Sequence, residues 1–100
     1  MALRLRIKCI VRTGRPEAHE RIQSVGGTID GSADGRRWKH FETYSILCIK
    51  TRTYAYYIVN NEGQEVDVVI ATSPGGQEYL KTTADGEQPD GLLSLPDCPD

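Results

Sequence analysis

Thiols and imidazoles are the side chains best able to hold a metal or make a nucleophile, and this chain has five: Cys9, His19, His40, Cys48 and Cys98. A structural zinc site draws its ligands in close pairs, because adjacent turns or strands must present them tetrahedrally. No two of these five lie within four residues of each other, so no metal site is expected. Cys9 falls on the apolar side of an alternating stretch, where a thiol packs as an inert hydrophobe, and Cys48 reads the same way. Glu65 and Asp67 alternate along a strand pattern as solvated outer-face neighbours, with Glu62 just before them. Nothing in that arrangement raises a carboxyl pKa for acid–base work. The glycine-rich stretches Gly26-Gly27, Gly31 to Gly35 and Pro74-Gly75-Gly76 lack the lysine, hydroxyl and strand–loop–helix context of a phosphate loop. The expectation is a non-enzyme with no catalytic residue, no metal and no cofactor.

Binding chemistry is better represented. Gly35-Arg36-Arg37-Trp38-Lys39-His40 interleaves basic side chains with the chain's single tryptophan, a composition that single-stranded nucleic acid uses for phosphate contact and stacking. Arg4, Arg6 and Lys8 form a second basic set, spaced as one face of a strand. Together Arg4, Arg6, Lys8, Arg36, Arg37, Trp38 and Lys39 are the candidate partner-binding or nucleic-acid-binding residues. The competing reading makes Trp38 a core anchor with wet basic neighbours, and pairs the Arg4–Lys8 stripe with Glu65 and Asp67 on a neighbouring strand. A sequence pI of about 5.6 argues against a dedicated nucleic-acid binder.

Several elements must position these residues. Tyr54 to Asn60, Gln64 to Ala71 and Gln77 to Thr82 are β-rich runs separated by turn residues, and read as a three-stranded antiparallel meander. Leu3 to Arg12 alternates as one half-buried strand, with Leu3, Leu5, Ile7, Cys9 and Val11 inward. Pro16 and Glu17 open a short helix in which Ala18, Ile22 and Val25 recur at helical spacing, with Gly26-Gly27 as its stop. Asp30-Gly31 and Asp34-Gly35 mark a loop or wide hairpin connection, followed by a short strand at Trp38 to Phe41. Thr43 caps a second helix running to about Lys50, with Ile46 and Ile49 facing the core. Residues 83–100 are rich in Asp, Gly and Pro but carry Leu92, Leu93 and Leu95, more apolar surface than a disordered tail needs.

One hundred residues at 38% hydrophobic content suit a single domain. It spans 1–100, with a core over 1–82 and a tail over 83–100 that docks back. No run approaches the length of a membrane span, and the odd, widely spaced cysteines make a poor disulfide framework, so a cytoplasmic protein is expected. Residues 1–52 hold eleven Lys/Arg and five Asp/Glu, whereas residues 53–100 hold one and nine. The halves are therefore oppositely charged. That split either places basic and acidic elements face to face or polarises the surface for a charged partner.

Ile7-Lys-Cys-Ile10, Glu20-Arg-Ile22, Val25-Gly-Gly27, Trp38, Ile46, Ile49, Tyr56-Tyr-Ile-Val59, Val66-Asp-Val-Val69, Tyr79-Leu-Lys-Thr82, Ala84-Asp-Gly86 and Leu92-Leu-Ser-Leu-Pro-Asp-Cys-Pro99 run in the order of the bacterial "domain of unknown function 3892" family. The chain resembles that family over nearly its whole length. It departs where a glycine would follow the second helix, replaced by Thr51-Arg52, and where two asparagines would precede the leucines, replaced by Asp90-Gly91. The resemblance implies a small α+β domain of bacteria and their mobile elements, and implies no activity, cofactor or catalytic residue. It makes the closing motif part of the fold or a recognition feature: Leu92, Leu93, Leu95 and Cys98 either close the core or form an exposed docking patch.

The resulting expectation is an α+β domain, strand–helix–strand–helix and then the meander, with two short helices on one face of a mainly antiparallel sheet. It is expected to bind a protein partner as a bacterial or phage accessory or regulatory protein, for example an inhibitor of a defence complex, or to form a homodimer through edge strands. Nucleic-acid binding through the basic first half is the alternative, and a small enzyme of unknown reaction is the second alternative.

Overall fold

The computed structural model describes residues 3–14, 21–28, 37–84 and 90–98. Its strands are β1 (Leu3–Arg6), β2 (Cys9–Arg12), β3 (Ile22–Thr28), β4 (Arg37–Phe41), β5 (Tyr54–Val59), β6 (Glu65–Thr72) and β7 (Glu78–Thr82), with helices α1 (Glu42–Lys50) and α2 (Asp90–Leu93). The domain is α+β, as expected. Its strands form two sheets, ordered β1-β5-β6-β7 and β2-β3-β4.

The meander β5-β6-β7 is antiparallel throughout, and both of its turns are built the same way. Asn60 and Ser73 each immediately precede a three-residue loop, and each accepts a backbone N–H with its side-chain oxygen: Gln64 at 2.9 Å on Asn60, Gln77 at 3.2 Å on Ser73. The third loop residue is Gly63 in one and Gly76 in the other, at φ +79° and +87°. A left-handed residue in that place fits a three-residue hairpin, and glycine adopts it without steric cost.

The expected single strand over 3–12 is two strands in different sheets. β1 pairs in parallel with β5, whereas β2 pairs antiparallel with β3. The alternation breaks because Ile7 and Ile10 are both buried, at 1% and 0% exposure, while Leu3 is 62% exposed. The two anchors are three positions apart, an odd step that alternation would place on opposite faces, so the chain must change face between them.

The helix expected to end at Gly26-Gly27 is corrected over its second half: Ile22 to Thr28 is strand, and residues 15–20 lie outside the described part. The two glycines permit close approach instead of stopping a helix. A Cβ on Gly27 would run into the carbonyl oxygen of Arg6, and one on Gly26 would lie 2.9 Å from the Trp38 carbonyl oxygen. β3 pairs antiparallel with β4, and the connection expected around Asp30-Gly31 and Asp34-Gly35 lies outside the described residues.

α1 starts one residue before the expected cap. Phe41 is its N-cap, without a side-chain cap bond, and Thr43 lies inside the first turn. The helix ends in a Schellman arrangement, Arg52 N–H to Ile49 O at 3.2 Å and Thr53 N–H to Cys48 O at 2.9 Å. Arg52 takes the left-handed position at φ 60°. Ile46, Ser45 and Cys48 face inward, and Leu47 is 55% exposed.

The end of the chain closes the core. Leu92 on α2 is fully buried among residues that include Ile10, Tyr56 and Leu80, and Leu93 and Leu95 pack against the same cluster. Residues 96–98 then run parallel to β2, with Ile10 N–H to Pro96 O at 3.0 Å and Cys98 N–H to Ile10 O at 2.9 Å. Arg12 donates to the carbonyls of Leu93 and Leu95 at 2.5 and 2.9 Å and pairs with Asp97. A Cys9–Cys98 disulfide joins two residues 89 positions apart in the sequence. This corrects the readings of Cys9 as an inert thiol and of the cysteines as a poor framework: an odd count leaves Cys48 buried and free while the other two pair.

Candidate interaction surface

Alternation along β4 decides what the basic–aromatic cluster presents. Trp38 and His40 are half-buried, whereas Arg37, Lys39 and Phe41 are exposed. Trp38 therefore packs inward, its ring 5.7 Å from Tyr56 and 4.9 Å from His40. His40 stands at the centre of an aromatic group, 4.9 Å from Tyr44 and 5.4 Å from Tyr54, and its Nδ1 lies 2.9 Å from the Tyr56 hydroxyl oxygen. Burial lowers the His40 pKa and raises that of Tyr56. At neutral pH both groups are thus held in their uncharged forms, which suits a packed hydrogen bond rather than proton transfer.

Glu42, in the first turn of α1, is the buried carboxylate among the described residues. Burial raises its pKa from the ordinary 4.5 to about 7, against the lowering effect of the Leu80 N–H, which it accepts at 3.4 Å. It lines a shallow cleft with Ile46, Leu47, Lys50 and Glu78. Lys50 is turned to Glu78 at 2.6 Å, so this cleft mouth is an ion pair.

The basic residues named from the sequence are not brought onto one surface. Arg4 sits on the four-stranded sheet, 3.0 Å from Glu65 and 3.7 Å from Asp67, with its guanidinium 4.2 Å from the Tyr57 ring centroid. Lys8 donates to Thr28 Oγ1, and the Arg6 Nε is buried. Arg36 lies outside the described residues. Among the described ones, Arg37 and Lys39 share an exposed face, that of β4. Leu92, fully buried, is unavailable as a docking contact; Leu93 and Leu95 are partly covered.

Sequence reasoning missed a different group. Phe41, Tyr44 and Leu47 are 64%, 46% and 55% exposed, spaced three residues apart through the start of α1. Tyr44 and Leu47, three apart within α1, are neighbours on its surface, and Phe41, the last residue of β4 and the N-cap of α1, adds an exposed ring at the helix start. A signal was present: Tyr44, Ile46, Leu47, Cys48 and Ile49 are more apolar residues than one face of a nine-residue helix can bury. Among the described residues no cluster of His, Cys, Asp and Glu could hold a metal ion, and no helix is long and apolar enough to cross a membrane.

The fold and surface define a small α+β domain with exposed aromatic and aliphatic side chains around α1. Residues 6–96 match the family described as "Protein of unknown function (DUF3892)", and the chain belongs to that family. No curated protein and no solved structure matches it.

Proposed function

We propose that this domain is a non-catalytic module that binds another protein through the outer face of α1. The observation that carries the reading is the exposure of Phe41, Tyr44 and Leu47 at the start and along the surface of α1, in a fold that buries Leu92 and Leu80 completely. Clustered large apolar side chains on a small domain mark association surfaces, and aromatic residues supply rigid contact area. The nearby exposed Arg37 and Lys39 would form a charged rim, favouring a partner with an acidic border. An accessory or regulatory role in a bacterium or phage, inhibition of a defence complex included, is the biological setting we attach to it, with the cytoplasm as compartment.

Nucleic-acid binding is the second reading, favoured by one arrangement: Arg37, Lys39 and the exposed ring of Phe41 alternate along one face of β4. In that version Phe41 takes the stacking role that the sequence assigned to Trp38. One experiment separates the readings. The tagged domain and its Phe41→Ser/Leu47→Ser variant are used to recover partners from host lysate with and without nuclease. The protein reading expects a specific protein that survives nuclease and is lost with the variant. Recovery that vanishes with nuclease would favour the second reading.

A further inference from the structure

We propose that the Cys9–Cys98 disulfide is an exchange site for anionic low-molecular-weight thiols of the glutathione class, and that its opening frees residues 95–98 from the edge of β2. The bond lies on the outer face of the three-stranded sheet, over Gly26, where an added Cβ would stand 3.1 Å from Cys98 Sγ and 3.2 Å from Cys9 Sγ. Cys9, Gly26 and Lys39 are in register across β2, β3 and β4 and so share that face. With no side chain on Gly26, the two sulfurs sit directly over its backbone, and Lys39 stands on the next strand of the same face. Cys98, Lys39, Arg12 and Asp97 line one cleft. Arg12 is engaged with Asp97 and the Leu93 and Leu95 carbonyls, which leaves Lys39 as the cation available to a ligand carboxylate.

The chemistry balances with the thiol as sole co-reactant. The small thiol loses its proton, and its thiolate attacks Cys98 Sγ, which faces the cleft. A new S–S bond forms to Cys98, the Cys9–Cys98 bond breaks, and Cys9 leaves as a thiolate that Lys39 stabilises until it takes up a proton. A second thiolate attacks the sulfur of the bound small thiol and releases Cys98 as a thiol together with the small-molecule disulfide. The end of the tail is then held by two backbone bonds to Ile10, the Arg12 contacts and the partial packing of Leu95, while Leu92 stays in the core. The exposed edge of β2 becomes free to pair with another strand.

The test uses the oxidised full-length protein, exposed to glutathione or to neutral 2-mercaptoethanol at equal thiolate concentration, quenched in acid and read by peptide mass spectrometry. The mixed disulfide is expected on Cys98. Lys39→Glu should slow the glutathione reaction roughly 10-fold and the neutral reaction less than about 2-fold, since the charge acts on the incoming anion. Should Lys39→Glu not fold, high salt applied to the wild type must erase the advantage of glutathione. After reduction, hydrogen exchange at the Ile10 and Cys98 amides should rise while the β6–β7 amides stay protected. An adduct on Cys9, equal slowing of both thiols, unchanged amide protection, or three free thiols in the air-purified protein would each overturn the proposal.

Discussion

Gly27 shows how a single missing atom fixes the crossing of two sheets. Any Cβ there meets the Arg6 carbonyl, which cannot move without displacing β1. Gly27→Ala should therefore cost about 2–4 kcal/mol in urea denaturation, or prevent folding. Arg52 is the opposite case, a bulky residue at the left-handed helix end where the family resemblance expected glycine. Arg52→Gly removes that strain at the expense of a freer unfolded chain, and a net gain of about 0.5–1 kcal/mol is expected from thermal melts. Glu42 carries a pH signature. Its folded-state pKa of about 7 lies above the ordinary 4.5, so the unfolded chain ionises first as pH rises. Stability should be unaffected by Glu42 below that ordinary value, fall between the two, and above the higher one sit about 2–3 kcal/mol lower. Glu42→Gln should flatten the decline in denaturation midpoints measured from pH 4 to 8.

Among elements, the meander was readable because local signals agreed: β-branched runs, Asn60 and Ser73 at the turn starts, and Gly63 and Gly76 where φ must be positive. β3 was not, because Ile22 and Val25 fit a helical spacing as well as a strand, and only the approach of Arg6 and Trp38, remote in sequence, gives Gly26-Gly27 its meaning. The division between β1 and β2 was hidden for the same reason: two sheets claim adjacent halves of one alternating run. The disulfide could not be read from spacing, since 89 residues separate its ends. In the chain-entropy picture a loop of that size makes the bond worth roughly 4–5 kcal/mol. The stabilising contribution of the tail is thus divided between apolar burial of Leu92 and a bond that thiols can open. That division lets the last residues respond to redox conditions while the core persists.

At the scale of the molecule, several of the opposite charges of the two halves are turned on each other. Arg4 with Glu65 and Asp67, Arg12 with Asp97, and Lys50 with Glu78 all join the basic half to the acidic half. Charge patterning thus made the Arg4–Glu65 contact legible, and the same pairing removes Arg4 from any free basic surface. The candidate surface was less legible, because Phe41, Tyr44 and Leu47 are ordinary strand and core residues until the helix they flank is packed. The measurement that tests the account most directly is the partner recovery with the wild-type domain and the Phe41→Ser/Leu47→Ser variant, both first shown to be folded by circular dichroism. A nuclease-resistant protein partner that falls at least about 10-fold with the variant is the expected result, matching loss of two central apolar contacts. Equal recovery by both proteins, or recovery of nucleic acid alone, would contradict the claim that the α1 face is the functional surface.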